Sequence, residues 1–361
     1  MTTDPFRLNA QQTAYLDTWM NRVSRSFALV IPCLEEPLNH YLATAYLLCR
    51  VIDNIEDSLQ PFSWKAQRFD EIAELLERPA RAAQYLDGWD SEAWPGLTPD
   101  EQAVMGREHG LPLWEIYALI PPEPFAIIRH WASAMVAGMR DLDDPQVPPR
   151  LLERNGFRLL GTRQDYDDYC YIVAGTVGHL ATELVIQHYS LPQATAKSLL
   201  DGAEACGRGL QKTNIVKDFP EDLARGVSYL PDEWLRSADY TPLDLQGAPT
   251  AWKANVLVDV LEELDDATHY VMALPQRATG YRRASLLCLF PAFQTLLLAA
   301  QRHADLFTPR HIVKISHQTM ETCLQDALRL SDNNAGILRY SQQVQNAIRL
   351  ALEMPSEVIN A

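Results

Sequence analysis

Four polar residues in the segment YLATAYLLCRVIDNIEDS are placed to act together. Tyr46, Arg50, Asp53 and Asp57 recur four, three and four positions apart, which puts them on one face of a helix. Leu47, Leu48, Val51, Ile52 and Ile55 cover most of the remaining surface. Such a helix is expected to be buried, with its polar stripe facing something other than bulk water. Like charges at i,i+4 cost roughly 0.2–0.5 kcal/mol even on an exposed helix, and burial raises that sharply. Cations are the natural remedy. The segment GRGLQKTNIVKDFPED repeats the arrangement with Gln211, Asn214, Asp218 and Asp222 at spacings of three, four and four, and with Leu210, Ile215 and Val216 on other faces. Glu56 and Glu221 each precede the second aspartate of their pair.

Hard carboxylate oxygens suit Mg²⁺, which typically takes one or two carboxylates, several waters and the phosphate oxygens of a substrate. Two such helices facing each other would form a magnesium-filled funnel for a diphosphate leaving group. The alternative is that each acidic run is a solvated helix face, the usual case for a single run. The apolar surroundings and the repetition of the pattern favour the metal. Pro220 lies between Asp218 and Asp222; an interior proline costs about 3 kcal/mol and bends a helix, so the aim of Asp222 is left open.

A third segment, DYDDYCYIVAGTVGHLATE, places Tyr169, Ile172, Val173, Thr176, Val177 and Leu180 on a helical stripe. Gly175 and Gly178 each cost a helix about 1 kcal/mol relative to alanine, which suggests close backbone approach or a kink; ordinary tight packing accounts for them. Tyr169 is by type a core or surface residue, but beside a diphosphate a phenol could shuttle a proton or stabilise a cation through its ring.

The elements that must position these groups are helices. Apolar residues recur three and four apart through most of the 361 residues, and convincing alternating strands are absent. Proline-rich stretches, among them PPEP and DDPQVPP, read as loops. The expectation is one all-α domain over 1–361, with an irregular connection between about 60 and 120. The 47 acids exceed the 31 bases, for a formal charge of -16, which disfavours nucleic acid as a partner. Six scattered cysteines suit reduced, packed thiols. The start of the chain does not read as a secretory signal, and 284–300 reads as a buried core helix because Pro291, Gln294 and Thr295 interrupt it. A cytoplasmic protein is expected.

SRSFALVIPCL, CRVIDNIEDS, DYCYIVAGTVG, QKTNIVKDFPED, LCLFPAFQTLLLAA and VKIS follow one another between about residues 20 and 317. In that order they resemble the successive blocks of the squalene/phytoene synthase family, and within it the squalene-forming members most. The resemblance implies an isoprenoid-synthase-type helical bundle around a central cavity that joins two farnesyl diphosphates head to head. Presqualene diphosphate would form first, and NADPH would then reduce it to squalene. It also implies that Asp53, Asp57, Asp218 and Asp222 are catalytic and hold Mg²⁺; Glu56 and Glu221, beside them, are further candidate metal ligands. Ser24, Arg25, Ser26, Tyr46, Arg50, Gln211 and Asn214 would bind substrate, Tyr169 would serve the first step, and Lys314 would contact NADPH. Leu287 stands where many members carry phenylalanine, Ser316 and His317 replace basic residues, and Val227 stands where an arginine is common. Other readings are a relative that makes presqualene diphosphate, dehydrosqualene or phytoene without reductant, and a non-catalytic helical assembly factor. The hydrophobic substrate and product make peripheral membrane contact an expectation.

Overall fold

A computed structural model describes residues 6–24, 27–144, 146–147, 150–310 and 312–353. Helices dominate, as the all-α reading expects. The chain clusters into two compact units, one formed by the residues up to 147 together with 179–192, the other by the remainder.

In the first unit the Leu38–Asp57 helix is the central element. Its apolar positions Leu38, Leu47, Leu48, Val51, Ile52 and Ile55 are all buried. It packs on Ala10–Val23, Phe62–Glu77, Arg107–Leu119 and Pro122–Asp143. The stretch from 60 to 120, expected to be irregular, is helical instead: Phe62–Glu77, Ala82–Trp89, Pro99–Met105 and Arg107–Leu119. Two prolines in stretches read as loops start helices instead, while Pro145, Pro148 and Pro149 of DDPQVPP lie outside the described residues. Pro99 follows the N-cap Thr98, and Pro122 opens the helix after Pro121. At a helix's first position the missing N–H is one that has no partner within the helix anyway.

The second unit is built around Ala203–Lys217, Thr250–Ala273, Thr279–Gln301 and Asn334–Glu353, which pack on one another. The Thr279–Gln301 helix is long and apolar enough to cross a membrane by length and composition. It is a core helix as expected, with Leu286, Leu289, Phe290, Phe293 and Leu296 buried. A small sheet was not expected. β1 (Leu151–Arg154) pairs antiparallel with β2 (Phe157–Leu160), and β3 (Val227–Ser228) joins β2 in parallel. Asn155 and Gly156 connect β1 to β2, both at positive φ (53° and 80°), the requirement of the tight hairpin turn for which Asn-Gly is the strongest signal.

The aromatic segment is two helical pieces joined by a wide turn. Arg163–Cys170 runs into a π-helical stretch, Tyr171–Gly175, before Thr176–His188. The extra residue in that turn breaks the regular stripe expected of the segment. The glycines here serve close approach. A Cβ on Gly207 would lie 2.0 Å from the carbonyl oxygen of Ala174, and one on Gly178 would lie 2.1 Å from that of Ala203. Both obstacles are backbone and cannot rotate away. Gly207→Ala is therefore expected to lower stability by about 1–3 kcal/mol through overpacking, read as a lower urea midpoint; an unchanged midpoint would mean that the two backbones can part at little cost.

Candidate active site

The two acidic segments fall in different units. In the first, the last two turns of the Leu38–Asp57 helix bring Arg50, Asp53 and Asp57 together, as their spacing requires. Arg50 Nη1 lies 3.8 Å from Asp53 Oδ2, and Nη2 lies 3.9 Å from Asp57 Oδ2. The direct partner of Arg50 is a residue the sequence did not single out: Nη2 donates to Glu101 Oε1 in a short contact. Asn54, on the same helix, donates to the Glu101 carbonyl oxygen at 3.2 Å. Burial lifts the Asp53 carboxyl to about 7; Arg50 opposes the rise, and Asp57 and Glu101 add to it. Burial likewise lifts Glu56 to about 8, with Asp57 adding to the effect and Lys65 opposing it. Lys65, the cation facing Glu56, binds its carbonyl oxygen at 2.6 Å and Asp143 at 2.7 Å.

Tyr46 continues the stripe one turn earlier. Its ring packs on Phe27 with centroids 4.9 Å apart. Burial raises its phenol above the usual value, and a hydrogen bond with the Ser24 side chain opposes that rise. Ser24 is buried at the end of Ala10–Val23, and its Oγ accepts from the Phe27 amide at 2.9 Å. Arg25 and Ser26 lie outside the described residues.

In the second unit Pro220 decides the geometry. The Ala203–Lys217 helix ends at Asp218, and Phe219–Ala224 begins there with Pro220 in its first turn. Asp218 thus stands at a helix junction. Lys217 Nζ bridges Asn214 Oδ1 at 2.9 Å and Asp218 Oδ2 at 3.2 Å. Asp222 is turned inward, 6 % exposed, and accepts from Arg225 Nη2 at 2.7 Å. Glu221 is exposed and Gln211 half-buried. Tyr169 is buried and stacks on Tyr229 with centroids 4.5 Å apart and planes 14° from parallel. Tyr229 directly follows β3, so the small sheet helps to support the tyrosine. Lys314 is exposed in the irregular stretch before His317–Leu330.

The donor chemistry fits Mg²⁺. Asp53 and Asp57 are part-exposed oxygen donors on one helix face, 30 % and 22 % accessible at the side chain. Among the described residues there is no cluster of three or more His, Cys, Asp or Glu set to hold a metal alone. Mg²⁺ typically takes one or two carboxylates and completes its shell with water and phosphate. For NADPH the residues offer less: Lys314 suits a phosphate, and one exposed cation does not make a nucleotide site.

Solved structures carry the same fold. TcSQS in complex with a ligand superposes with a TM-score of 0.76 at 22 % identity, over 94 % of this chain and 91 % of that one. A dehydrosqualene synthase in complex with a ligand gives a TM-score of 0.59 at 18 % identity, over 88 % and 95 %. The architecture is the all-helical isoprenoid-synthase fold. The family model for squalene/phytoene synthase matches residues 20–318, and the chain belongs to that family. It is similar to the squalene synthase of Eremothecium gossypii, 34 % identical over 224 residues, 61 % of this chain and 46 % of that protein. The squalene synthase ERG9 of Saccharomyces cerevisiae is 29 % identical over 271 residues, 72 % and 56 %. A bifunctional lycopene cyclase/phytoene synthase of Arthroderma gypseum is 27 % identical over 285 residues, 76 % and 45 %. The chain thus spans about half the length of these curated relatives.

Proposed function

We propose that the protein is a Mg²⁺-dependent prenyltransferase that joins two farnesyl diphosphates head to head and carries the product on to squalene. The observation that carries this reading is the pair Asp53 and Asp57, part-exposed on one face of an otherwise buried helix beside Arg50, with burial lifting the Asp53 carboxyl to about 7. Carboxylates held in that state attract a divalent cation and, through it, a diphosphate. When bound, Mg²⁺ supplies charge neutralisation to the departing diphosphate. Within the first unit Arg50 is a candidate contact for diphosphate oxygens beside Asp53 and Asp57, and within the second Lys217 is one beside Asp218. The stacked rings of Tyr169 and Tyr229 present aromatic surface of the kind that stabilises an allylic cation, and the Tyr169 phenol can accept or return a proton as the coupling is completed. Catalysis by this route requires that water be kept from the cation, which the burial of Tyr169 against Tyr229 favours.

The squalene synthases of Eremothecium gossypii and Saccharomyces cerevisiae support a squalene product, and the family resemblance implies NADPH as its hydride donor. A second reading, an unreduced product, is favoured by the phytoene synthase and dehydrosqualene synthase likenesses. Purified protein incubated with farnesyl diphosphate and Mg²⁺, with and without NADPH, separates them by product chromatography. Squalene formed only with NADPH is the expected result; the same polyene in both incubations establishes the second reading. No conversion of farnesyl diphosphate in either would refute the coupling activity altogether. We further propose a cytoplasmic location with peripheral contact to membranes, on the ground that substrate and product are oily.

A further inference from the structure

Glu101 lies 51 positions from Arg50 in the sequence, yet its carboxylate is shared between two fixed tasks. Oε2 accepts from the backbone N–H of Thr98 at 2.8 Å and from its hydroxyl at 2.9 Å, closing the capping box of Pro99–Met105. Oε1 takes the direct hydrogen bond of Arg50 Nη2. The same helix is tied to the acidic helix a second time through Asn54, which donates to the Glu101 carbonyl oxygen at 3.2 Å and lies 3.5 Å from Met105 Sδ. Glu101 is therefore anchored by a helix cap and aimed at Arg50. The consequence shows in the distances. Arg50 stands 3.8 and 3.9 Å from Asp53 and Asp57, beyond the range of a direct hydrogen bond. Among the described residues the buried Arg50 Nε finds no hydrogen-bond partner. The guanidinium thus has donor capacity left over but is held back from the two aspartates nearest to it.

We propose that Glu101 is a positioning residue that restrains Arg50 from closing on Asp53 and Asp57, so that the guanidinium does not take the carboxylate oxygens a divalent cation needs; the inference rests on the metal-binding reading of that pair given above. Without the restraint, Arg50 is free to form charge-assisted hydrogen bonds with either aspartate and to compete with the metal for the same oxygens. Simple charge counting makes a different statement. If Glu101 acted only as one more nearby negative charge, its loss would weaken cation binding by the same factor whether or not Arg50 were present.

A double-mutant cycle separates the two. Mn²⁺ alone serves as the probe, with free ion counted by electron paramagnetic resonance, for wild type, Glu101→Gln, Arg50→Gln and the double variant. Glutamine keeps the size of the side chain, and its carbonyl oxygen can still accept from Thr98. Expected are a loss of about 10–100-fold in Mn²⁺ affinity for Glu101→Gln, the range found for residues that orient metal ligands, and affinity at or above wild type for Arg50→Gln. The double variant should match Arg50→Gln. An equal loss in both backgrounds overturns the inference, as does wild-type affinity in Glu101→Gln. Thr98→Ala removes the hydroxyl's share of the Glu101 anchor and keeps the backbone N–H bond to Glu101 Oε2, so it should cost less Mn²⁺ affinity than Glu101→Gln, and what it costs should vanish in the Arg50→Gln background. Should Glu101→Gln fail to fold, Glu101→Asp, which keeps the charge but shortens the reach to Arg50, must show the same Arg50-dependent loss, or the inference falls. The failure of the coupling reading is distinct: Asp53→Asn would then bind Mn²⁺ as wild type does, or farnesyl diphosphate would not be converted.

Discussion

Lys212→Met should destabilise the protein by about 3–5 kcal/mol, the cost of stripping the cation from a buried ion cluster, and so consume much of the stability of an ordinary domain. Lys212 is 1 % exposed. Its Nζ meets Asp167 Oδ1 at 2.8 Å, Asp259 Oδ2 at 2.9 Å and Glu263 Oε1 at 3.0 Å, and lies 5.1 Å from the centre of the Tyr166 ring. Those partners come from two helices, Arg163–Cys170 and Thr250–Ala273, and Lys212 reaches them from a third, Ala203–Lys217. Arg163 and Arg208 also reach the cluster, at 2.9 Å from Asp259 and 2.8 Å from Glu263, but both are more exposed than Lys212 and their attraction is screened. Methionine fills the volume and leaves three carboxylates without their shared cation. Burial by itself would lower the Lys212 pKa; Asp259, Asp167 and Glu263 outweigh it and raise the value above the usual one. A cation with a raised folded-state pKa contributes stability that is whole below the unfolded value of about 10.4 and fades only as pH climbs past the folded value. The wild-type advantage over Lys212→Met in urea unfolding should accordingly be flat from pH 7 to pH 9. An advantage that shrinks over that interval would show that Lys212 is not the charge holding the cluster together.

The cluster shows where sequence reasoning reaches and where it stops. Lys212 is adjacent to Gln211, and the period of 3.6 places it off the polar stripe, on the side that a helix normally buries. Nothing local announces Asp259 and Glu263 as its partners, because the pairing spans 47 and 51 positions. Glu101 is the same case. Its role as the N3 residue of a capping box is written in Thr98-Pro99-Asp100-Glu101, whereas its bond to Arg50 depends on how one helix docks against another. The Asp53 and Asp57 face was legible, since a helix converts spacing directly into neighbourhood. Pro220 was legible as an interruption; that it starts a new helix at Asp218, and that Arg225 then claims Asp222, needed the packing. The hairpin at Asn155-Gly156 carried its turn signal openly, but β1 and β2 are four residues long and do not alternate cleanly in burial, so the period of two never had room to show.

Asp53→Asn should lower kcat for farnesyl diphosphate coupling by at least about 10²–10³-fold, the scale of losing one preorganised electrostatic contact at a site of developing charge, while leaving the protein folded. The same loss is expected of Asp218→Asn. The prediction has a second half that an ordinary damaging substitution would not share. In the metal-free protein burial lifts the Asp53 carboxyl to about 7, so its ionised form is disfavoured in the folded state. A carboxyl raised in this way costs folding stability increasingly as pH rises from the ordinary carboxylate range toward the folded value. Asparagine keeps the shape and removes the charge. With a chelator present, Asp53→Asn should melt at or above the wild-type temperature, and its advantage should be greater at pH 8 than at pH 5. Added Mg²⁺ should reverse the order by stabilising wild type alone, since a ligand stabilises only the form that binds it. Thermal melts at the two pH values, with and without Mg²⁺, test this directly. An Asp53→Asn protein that turns over normally at saturating Mg²⁺, or one that melts lower than wild type at pH 8 in chelator, would show that this carboxylate is kept for packing and not for the cation.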